Sequence, residues 1–134
     1  MNADSPGSLD GLSILVVDDD LDVRELHAYL LKVYGAQVHL AEGAGAALDI
    51  LSEHTLDLIM SDIAMPGEDG YSLMRRVRAL QQTEQRDIPA IAVTAFDRDV
   101  DRTRALDAGF NLHMTKPVEP TALLQAIFDL AHPS

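Results

Sequence analysis

The chain has 134 residues, no cysteine, and 22 acidic against 10 basic residues, which gives a formal net charge of −12. This length suits one domain with a full hydrophobic core, and the lack of cysteine excludes disulfides and thiolate metal sites. The acidic balance argues against direct nucleic-acid binding and against docking on anionic membranes, because both need basic charge. With no apolar run long enough to span a bilayer and no secretory signal pattern, we expect a cytoplasmic protein.

The first residues differ in composition from the rest of the chain. Residues 1–11 are rich in Asp, Ser, Pro and Gly, which predicts a flexible leader or linker. Short apolar runs then alternate with longer amphipathic segments as far as residue 132. The sequence therefore predicts one domain over residues 12–132.

Five short segments predict strands, four of them apolar runs, and the first is rich in β-branched residues: Ile14–Val17, Gln37–Ala41, Leu58–Met60, Ala90–Val93 and Leu112–Met114. Apolar residues at helical spacing predict the helices between and after them, at Leu21–Val33, Ala44–Ser52, a segment containing Leu73 to Leu80, Asp99–Ala108 and Pro120–Leu130. Strict alternation of this kind predicts an α/β fold in which a parallel, doubly wound sheet is covered by helices on both faces.

Polar side chains follow four of the five predicted strands at the point where each strand ends. They are Asp18, Asp19 and Asp20 after the first, Asp62 after the third, Thr94 after the fourth and Lys116 after the fifth. Open parallel sheets bind ligands at the carboxyl ends of their strands, so these groups are predicted to share one site.

Several carboxylates at one edge repel each other, and a hard divalent cation relieves that repulsion. Mg²⁺ prefers carboxylate oxygens and often shares its coordination shell with a phosphate, for which a lysine supplies a positive point charge. Each residue taken alone is more often a turn former, a helix cap or a solvated side chain. Their conjunction at one edge favours a magnesium-dependent phosphoryl site with a carboxylate nucleophile.

Six short motifs together resemble the receiver domain of two-component response regulators. They are Leu15-Val16-Val17-Asp18-Asp19, Ser61-Asp62-Ile63-Ala64-Met65-Pro66, Asp69-Gly70, Val93-Thr94-Ala95, Ala108-Gly109 and Lys116-Pro117. The resemblance covers residues 13–132 and implies a flavodoxin-like (βα)5 fold with strand order 2-1-3-4-5. The segment 88–118 is most similar to receivers of hybrid histidine kinases, and an excised receiver of that kind is slightly favoured over a free-standing regulator.

The resemblance implies that Asp62 is the phosphoacceptor. It would take a phosphoryl group from a phosphohistidine on a histidine kinase or a histidine phosphotransfer protein. Mg²⁺ would be bound by Asp19, Asp62 and the backbone carbonyl of Ala64, with Asp18 acting through a metal-bound water.

The resemblance also assigns the switch. Lys116 would pair with the phosphoryl oxygens, with the peptide bond to its proline cis, and the hydroxyl of Thr94 would move toward the phosphoryl group. The backbone amides of Ala64 and Ala95 would donate to that group. The second switch position, commonly Tyr or Phe, is His113 here, and we hypothesise that its charge state near neutral pH tunes the switch.

Two other functions remain open at this point. A magnesium-dependent phosphohydrolase would use Asp62 as nucleophile but usually carries a second acid two residues later, where this chain has Ala64. A pseudo-receiver that only binds partners would typically lack one of the pocket residues. The expected partner surface is the last helix–strand–helix, and dimerisation through it is left open.

Overall fold

The computed structural model describes residues 8–132. This part of the chain contains five strands, β1 (Ser13–Val17), β2 (Gln37–Ala41), β3 (Leu58–Ser61), β4 (Ala90–Thr94) and β5 (Leu112–Thr115). It also contains six helices, α1 (Leu21–Val33), α2 (Ala44–Glu53), α3 (Gly70–Arg78), α4 (Thr83–Arg86), α5 (Asp99–Ala108) and α6 (Pro120–Ala131). Within these residues no helix combines the length and the apolar character needed to cross a membrane.

All strands are parallel and lie in the order β2-β1-β3-β4-β5, which confirms the predicted doubly wound fold. The register aligns their carboxyl ends. Val17 at the end of β1 is paired with Ser61 of β3, and Thr94 at the end of β4 is paired with Thr115 of β5. The residues that follow each strand therefore start from one edge of the sheet.

Successive residues of β1 point to opposite faces of the sheet and so divide the core into two layers. Leu15 and Val17 pack with apolar side chains of α2, α3 and α5 on one face. Ile14 and Val16 pack with those of α1 and α6 on the other. Burial on both faces explains why the strands read as continuous apolar runs.

The predicted flexible leader over residues 1–11 is wrong for its last residues. Leu9 is fully buried, and its backbone N–H donates to the carbonyl of Tyr34 at 2.7 Å. Ser8 is also buried, and Leu9 packs in the α1/α6 layer of the core. An apolar side chain that fills the core anchors this segment, so the packed unit includes residues 8–11. The rest of the predicted leader lies outside the described residues.

The connection from α3 to β4 contains α4, which the sequence did not predict because its four residues have no apolar periodicity. Gln85 ties this connection to α2 by donating to the Leu51 carbonyl at 2.8 Å. Arg78 at the end of α3 donates to the carbonyls of Ile88 at 2.6 Å and Gly109 at 2.8 Å. One guanidinium thereby joins the segments that lead into β4 and β5.

Candidate phosphoryl and metal site

Three carboxylates meet at the carboxyl edge of the sheet. One oxygen each of Asp18, Asp19 and Asp62 lies within 4.8 Å of the others. Asp18 and Asp62 are buried, whereas Asp19 is exposed at the mouth of the site. The backbone N–H of Asp62 donates to the carbonyl of Val17 at 2.8 Å, which extends the pairing of β1 and β3 up to the site.

The three consecutive aspartates have three different roles. Asp18 Oδ1 accepts from the backbone N–H of Asp20 at 2.9 Å, so one of its oxygens is held by the loop. Asp20 caps α1, with Oδ1 accepting from the N–H groups of Asp22 at 2.9 Å and Val23 at 3.2 Å. Asp19 faces the other two carboxylates from the exposed mouth of the site.

Asp62 is held in place by its own loop. Its Oδ1 accepts from the backbone N–H of Ile63 at 2.8 Å, and the Ser61 hydroxyl donates to its carbonyl at 2.8 Å. A side chain at Gly70 would collide with that carbonyl, and the Gly70 N–H donates to the Ile63 carbonyl at 2.8 Å. Gly70 therefore lets the start of α3 approach the loop that carries Asp62, a role that its motif alone did not reveal.

Lys116 joins β5 to the carboxylates. Its Nζ lies 2.9 Å from Asp18 Oδ2 and 3.4 Å from Asp62 Oδ2. Burial opposes the charge of the ammonium, but the hydrogen bond to Asp18 and the charges of both carboxylates outweigh it, so the pKa of Lys116 is raised. The peptide bond between Lys116 and Pro117 is cis, as the resemblance implied.

The donor set fits a hard divalent cation. Three carboxylates face one ammonium, so −3 and +1 leave two net negative charges in the site. Burial raises the pKa of Asp62, and Asp18 adds to that effect while Lys116 opposes it. Oxygen ligands in this charge state suit Mg²⁺. Ala64 is exposed two residues after Asp62.

The two predicted switch residues are both buried. Thr94 is inaccessible to solvent, and its Oγ1 accepts from the backbone N–H of Phe96 at 3.3 Å. His113 is 4% exposed, and within residues 8–132 neither of its ring nitrogens has a hydrogen-bond partner. Burial lowers the pKa of His113, and the charge of Arg102 lowers it further.

A groove of about 500 Å³ lies beside Lys116, between α1 and the segment that follows β5. Its lining is mostly apolar and consists of Val23, Leu26, His27, Tyr29, Leu30, Lys116, Pro117, Val118 and Pro120. The exposed side of α1 continues this surface, since Leu26 and Tyr29 are 64% and 70% exposed. The sequence does not predict this groove, because helical spacing alone does not show which face of α1 is buried.

The sequence matches the response regulator receiver domain family over residues 14–128. It is 46% identical over 116 residues to an uncharacterized 14.6 kDa protein of Leptolyngbya boryana, covering 87% of each chain. It is 38% identical over 120 residues to the sensor histidine kinase RcsC of Salmonella typhi, covering 90% of this chain and 12% of the kinase. With the regulatory protein PhoB of Escherichia coli the identity is 35% over 114 residues, 85% of this chain and 49% of PhoB.

Solved structures of receiver domains have the same fold as this chain. A putative response regulator from Chloroflexus aurantiacus superposes with a TM-score of 0.83 at 30% identity, over 90% of this chain and 97% of that one. The receiver domain of a signal transduction histidine kinase from Syntrophus aciditrophicus gives 0.81 at 31% identity, over 90% of each chain. The predicted similarity to receivers of hybrid histidine kinases is thus confirmed. Fold and sequence together show that the chain belongs to the response regulator receiver domain family of two-component systems.

Proposed function

We propose that this domain is a cytoplasmic phosphorylatable switch of a two-component phosphorelay. Asp62 would accept a phosphoryl group from a phosphohistidine on a histidine kinase or a histidine phosphotransfer protein. The observation that carries the proposal is the convergence of Asp18, Asp19 and Asp62 with the Lys116 ammonium, 3.4 Å from Asp62 Oδ2. Carboxylates alone would make a cation site, whereas the lysine adds a group for the phosphoryl oxygens.

The transfer needs a carboxylate nucleophile that is positioned and partly stripped of water. Asp62 Oδ1 is engaged by the Ile63 N–H, which leaves Oδ2 on the side of Lys116 to attack phosphorus. The new P–O bond forms as the bond from phosphorus to the donor nitrogen breaks, and the product is an acyl phosphate. Lys116 then leaves its carboxylate partners for the phosphoryl oxygens.

Mg²⁺ would be held by Asp19, Asp62 and the carbonyl of Ala64, with Asp18 acting through a water. Its contribution when bound is to neutralise charge on the phosphoryl oxygens. The exposed position of Asp19 suits an ion that keeps several waters.

Phosphorylation would be transmitted through Thr94. Its hydroxyl would turn to the phosphoryl group, where the backbone amides of Ala64 and Ala95 also donate. That movement gives up the present hydrogen bond from the Phe96 N–H to Thr94 Oγ1. Because Phe96 lies in the loop between β4 and α5, its release would change the surface around that helix.

The residues favour the switch over the two alternatives. Ala64 offers no acid two residues after the nucleophile, which argues against repeated hydrolysis of phosphate esters. A pseudo-receiver is disfavoured because the three carboxylates, the lysine and the threonine are all present at one edge of the sheet.

Intact mass after incubation with a small acyl-phosphate donor and Mg²⁺ tests the proposal. We expect the mass of one phosphoryl group to be added to the wild-type chain and none to Asp62→Asn, which keeps the size of the side chain. Release of phosphate from many esters with multiple turnovers would support the hydrolase instead. An unchanged mass in both proteins, with no response to beryllofluoride, would support the pseudo-receiver.

A further inference from the structure

Two histidine rings meet on the face of the sheet that α2 covers. His39 of β2 is in register with Leu15 of β1, so its side chain lies on the same face as that buried leucine. His54 ends α2, and its backbone N–H donates to the Ile50 carbonyl at 3.0 Å. The centres of the two imidazole rings are 4.4 Å apart, and their planes are tilted by 36°. A strand and a helix end, both fixed by backbone hydrogen bonds, thus hold the rings side by side.

The nitrogen atoms of this histidine pair are available to a ligand. Within residues 8–132 neither ring is held by a hydrogen bond or an ion pair, unlike the ring of His132, which lies 3.2 Å from the Phe128 carbonyl. Burial lowers the pKa of His39, and the charge of His54 lowers it further, so the neutral ring with its free lone pair is favoured at neutral pH. His39 is half-buried and His54 is exposed, so ions reach the pair from the side of His54.

The spacing of the rings is close to that of two imidazoles bound to one metal ion. Zinc binds an imidazole nitrogen at about 2.0–2.1 Å. Two imidazoles in neighbouring positions around such an ion therefore have ring centres roughly 4.5–5 Å apart. The observed separation of 4.4 Å needs only a small adjustment, which rotation of the exposed His54 side chain can supply.

The surface around the histidine pair favours a cation. Residues 33–74 contain no lysine or arginine, so no fixed positive charge from this stretch repels an ion. The carboxylates of Glu53 and Asp57, on either side of His54 in the sequence, are both exposed and raise the local concentration of cations. Among the described residues no third histidine or acidic side chain joins the pair as a ligand, so water would fill the remaining positions.

We propose that His39 and His54 form a metal site distinct from the carboxylate pocket, and that it binds one late transition ion such as Zn²⁺, Ni²⁺ or Cu²⁺. Imidazole nitrogen suits these ions, whereas Mg²⁺ prefers carboxylate oxygens. A bound ion would join the edge strand β2 to the end of α2, and it would stabilise the fold because the pair exists only when the chain is folded. The site goes beyond the proposed function, since it uses none of the residues that handle the phosphoryl group.

Calorimetric titration with Zn²⁺ tests the proposal, with excess Mg²⁺ present to fill the carboxylate pocket. His39→Gln and His54→Gln should each weaken Zn²⁺ binding by about tenfold or more, since loss of even an outer-shell partner of a metal costs about tenfold to a hundredfold. The double variant should lose little beyond either single variant, because one remaining imidazole no longer chelates the ion. His132→Gln changes an exposed histidine outside the pair and should bind Zn²⁺ like wild type.

NMR of the wild-type chain examines the site without any substitution. Zn²⁺ should shift the ring signals of His39 and His54 together and leave those of His132 in place. Unchanged Zn²⁺ affinity in both single variants, or shifts confined to other histidines, would overturn the inference. Zn²⁺ binding that is lost in Asp19→Ala and kept in the histidine variants would assign the ion to the carboxylate pocket and overturn it as well. None of these outcomes affects the proposed function, which the phosphorylation of Asp62 tests separately.

Discussion

Asp62 is a carboxylate that water barely reaches, since it is 7% exposed. Burial raises its pKa, and Asp18 adds to this while Lys116 opposes it. Because the folded-state pKa lies above the unfolded value of 3.8, the stability linked to Asp62 is fully present below pH 3.8 and is lost as the pH rises through the folded-state value. Without a cation, ionised Asp62 therefore destabilises the fold at neutral pH.

Asp62→Asn should thus be more stable than wild type at pH 7 in metal-free buffer. In Mg²⁺ the wild type should become the more stable of the two proteins. At a hundred times its dissociation constant, Mg²⁺ adds about 2.7 kcal/mol to the free energy of unfolding of a protein that binds it only when folded. Asp19→Ala should lose most of this gain. Thermal unfolding with EDTA and with Mg²⁺ measures both effects.

Asp49→Asn, an exposed change on α2, is the control and should follow wild type under both conditions. The same ranking of wild type and Asp62→Asn with and without Mg²⁺ would contradict this account of the pocket.

At the scale of elements, two helices offer apolar surface to a partner. Leu26, Tyr29 and Val33 form an exposed stripe on α1 that borders the groove beside Lys116. On α5, Val100 is 59% exposed. The family resemblance implies a partner surface on the last helix–strand–helix, which includes α5. The position of the α1 stripe beside the lysine that faces Asp62 favours α1 as the surface that receives the phosphoryl donor, and leaves α5 for output.

Leu26→Glu tests this division. It adds charge to the centre of the stripe and should slow phosphoryl transfer from a phosphorylated histidine phosphotransfer domain by about tenfold, the cost of losing roughly 1.4 kcal/mol of docking energy. Labelling by a small acyl phosphate should stay the same, because that donor needs no docking surface. Radiolabel transfer measured over time gives both rates.

Val100→Glu makes the same change on α5 and should leave both rates near wild type. A larger loss of protein-to-protein transfer in Val100→Glu than in Leu26→Glu would return the donor surface to α5.

Over the whole molecule, sequence reasoning succeeded where a local pattern determined the outcome. The strands and their order followed from apolar runs and family motifs. The proximity of Asp62 and Lys116 followed because parallel strands end at one edge of the sheet. The separate roles of Asp18 and Asp20 could not be predicted, because three consecutive aspartates form the same local pattern. What distinguishes Asp18 is its contact with Lys116, which lies 98 residues away in the sequence. The packing of Leu9 and the burial of His113 likewise depend on tertiary neighbours that no local pattern encodes.

The net charge of −12 affects the stability of the whole chain, in addition to the local repulsion among the pocket carboxylates. Repulsion among surface carboxylates opposes the compact state, and salt screens it, with a Debye length of about 30 Å at 0.01 M and about 3 Å at 1 M. We expect NaCl to raise stability gradually by on the order of 1 kcal/mol, or roughly 3–6 °C in Tm. Thermal unfolding in EDTA over this range of NaCl concentration measures the gain in stability.

Wild type and Asp19→Ala should gain equally from NaCl, because screening acts on the surface as a whole, whereas the gain from Mg²⁺ should saturate and require Asp19. Choline chloride should act like NaCl, since screening depends on ionic strength and not on the identity of the cation. A NaCl gain that disappears in Asp19→Ala would mean that the sodium ion occupies the pocket and that surface repulsion is already compensated.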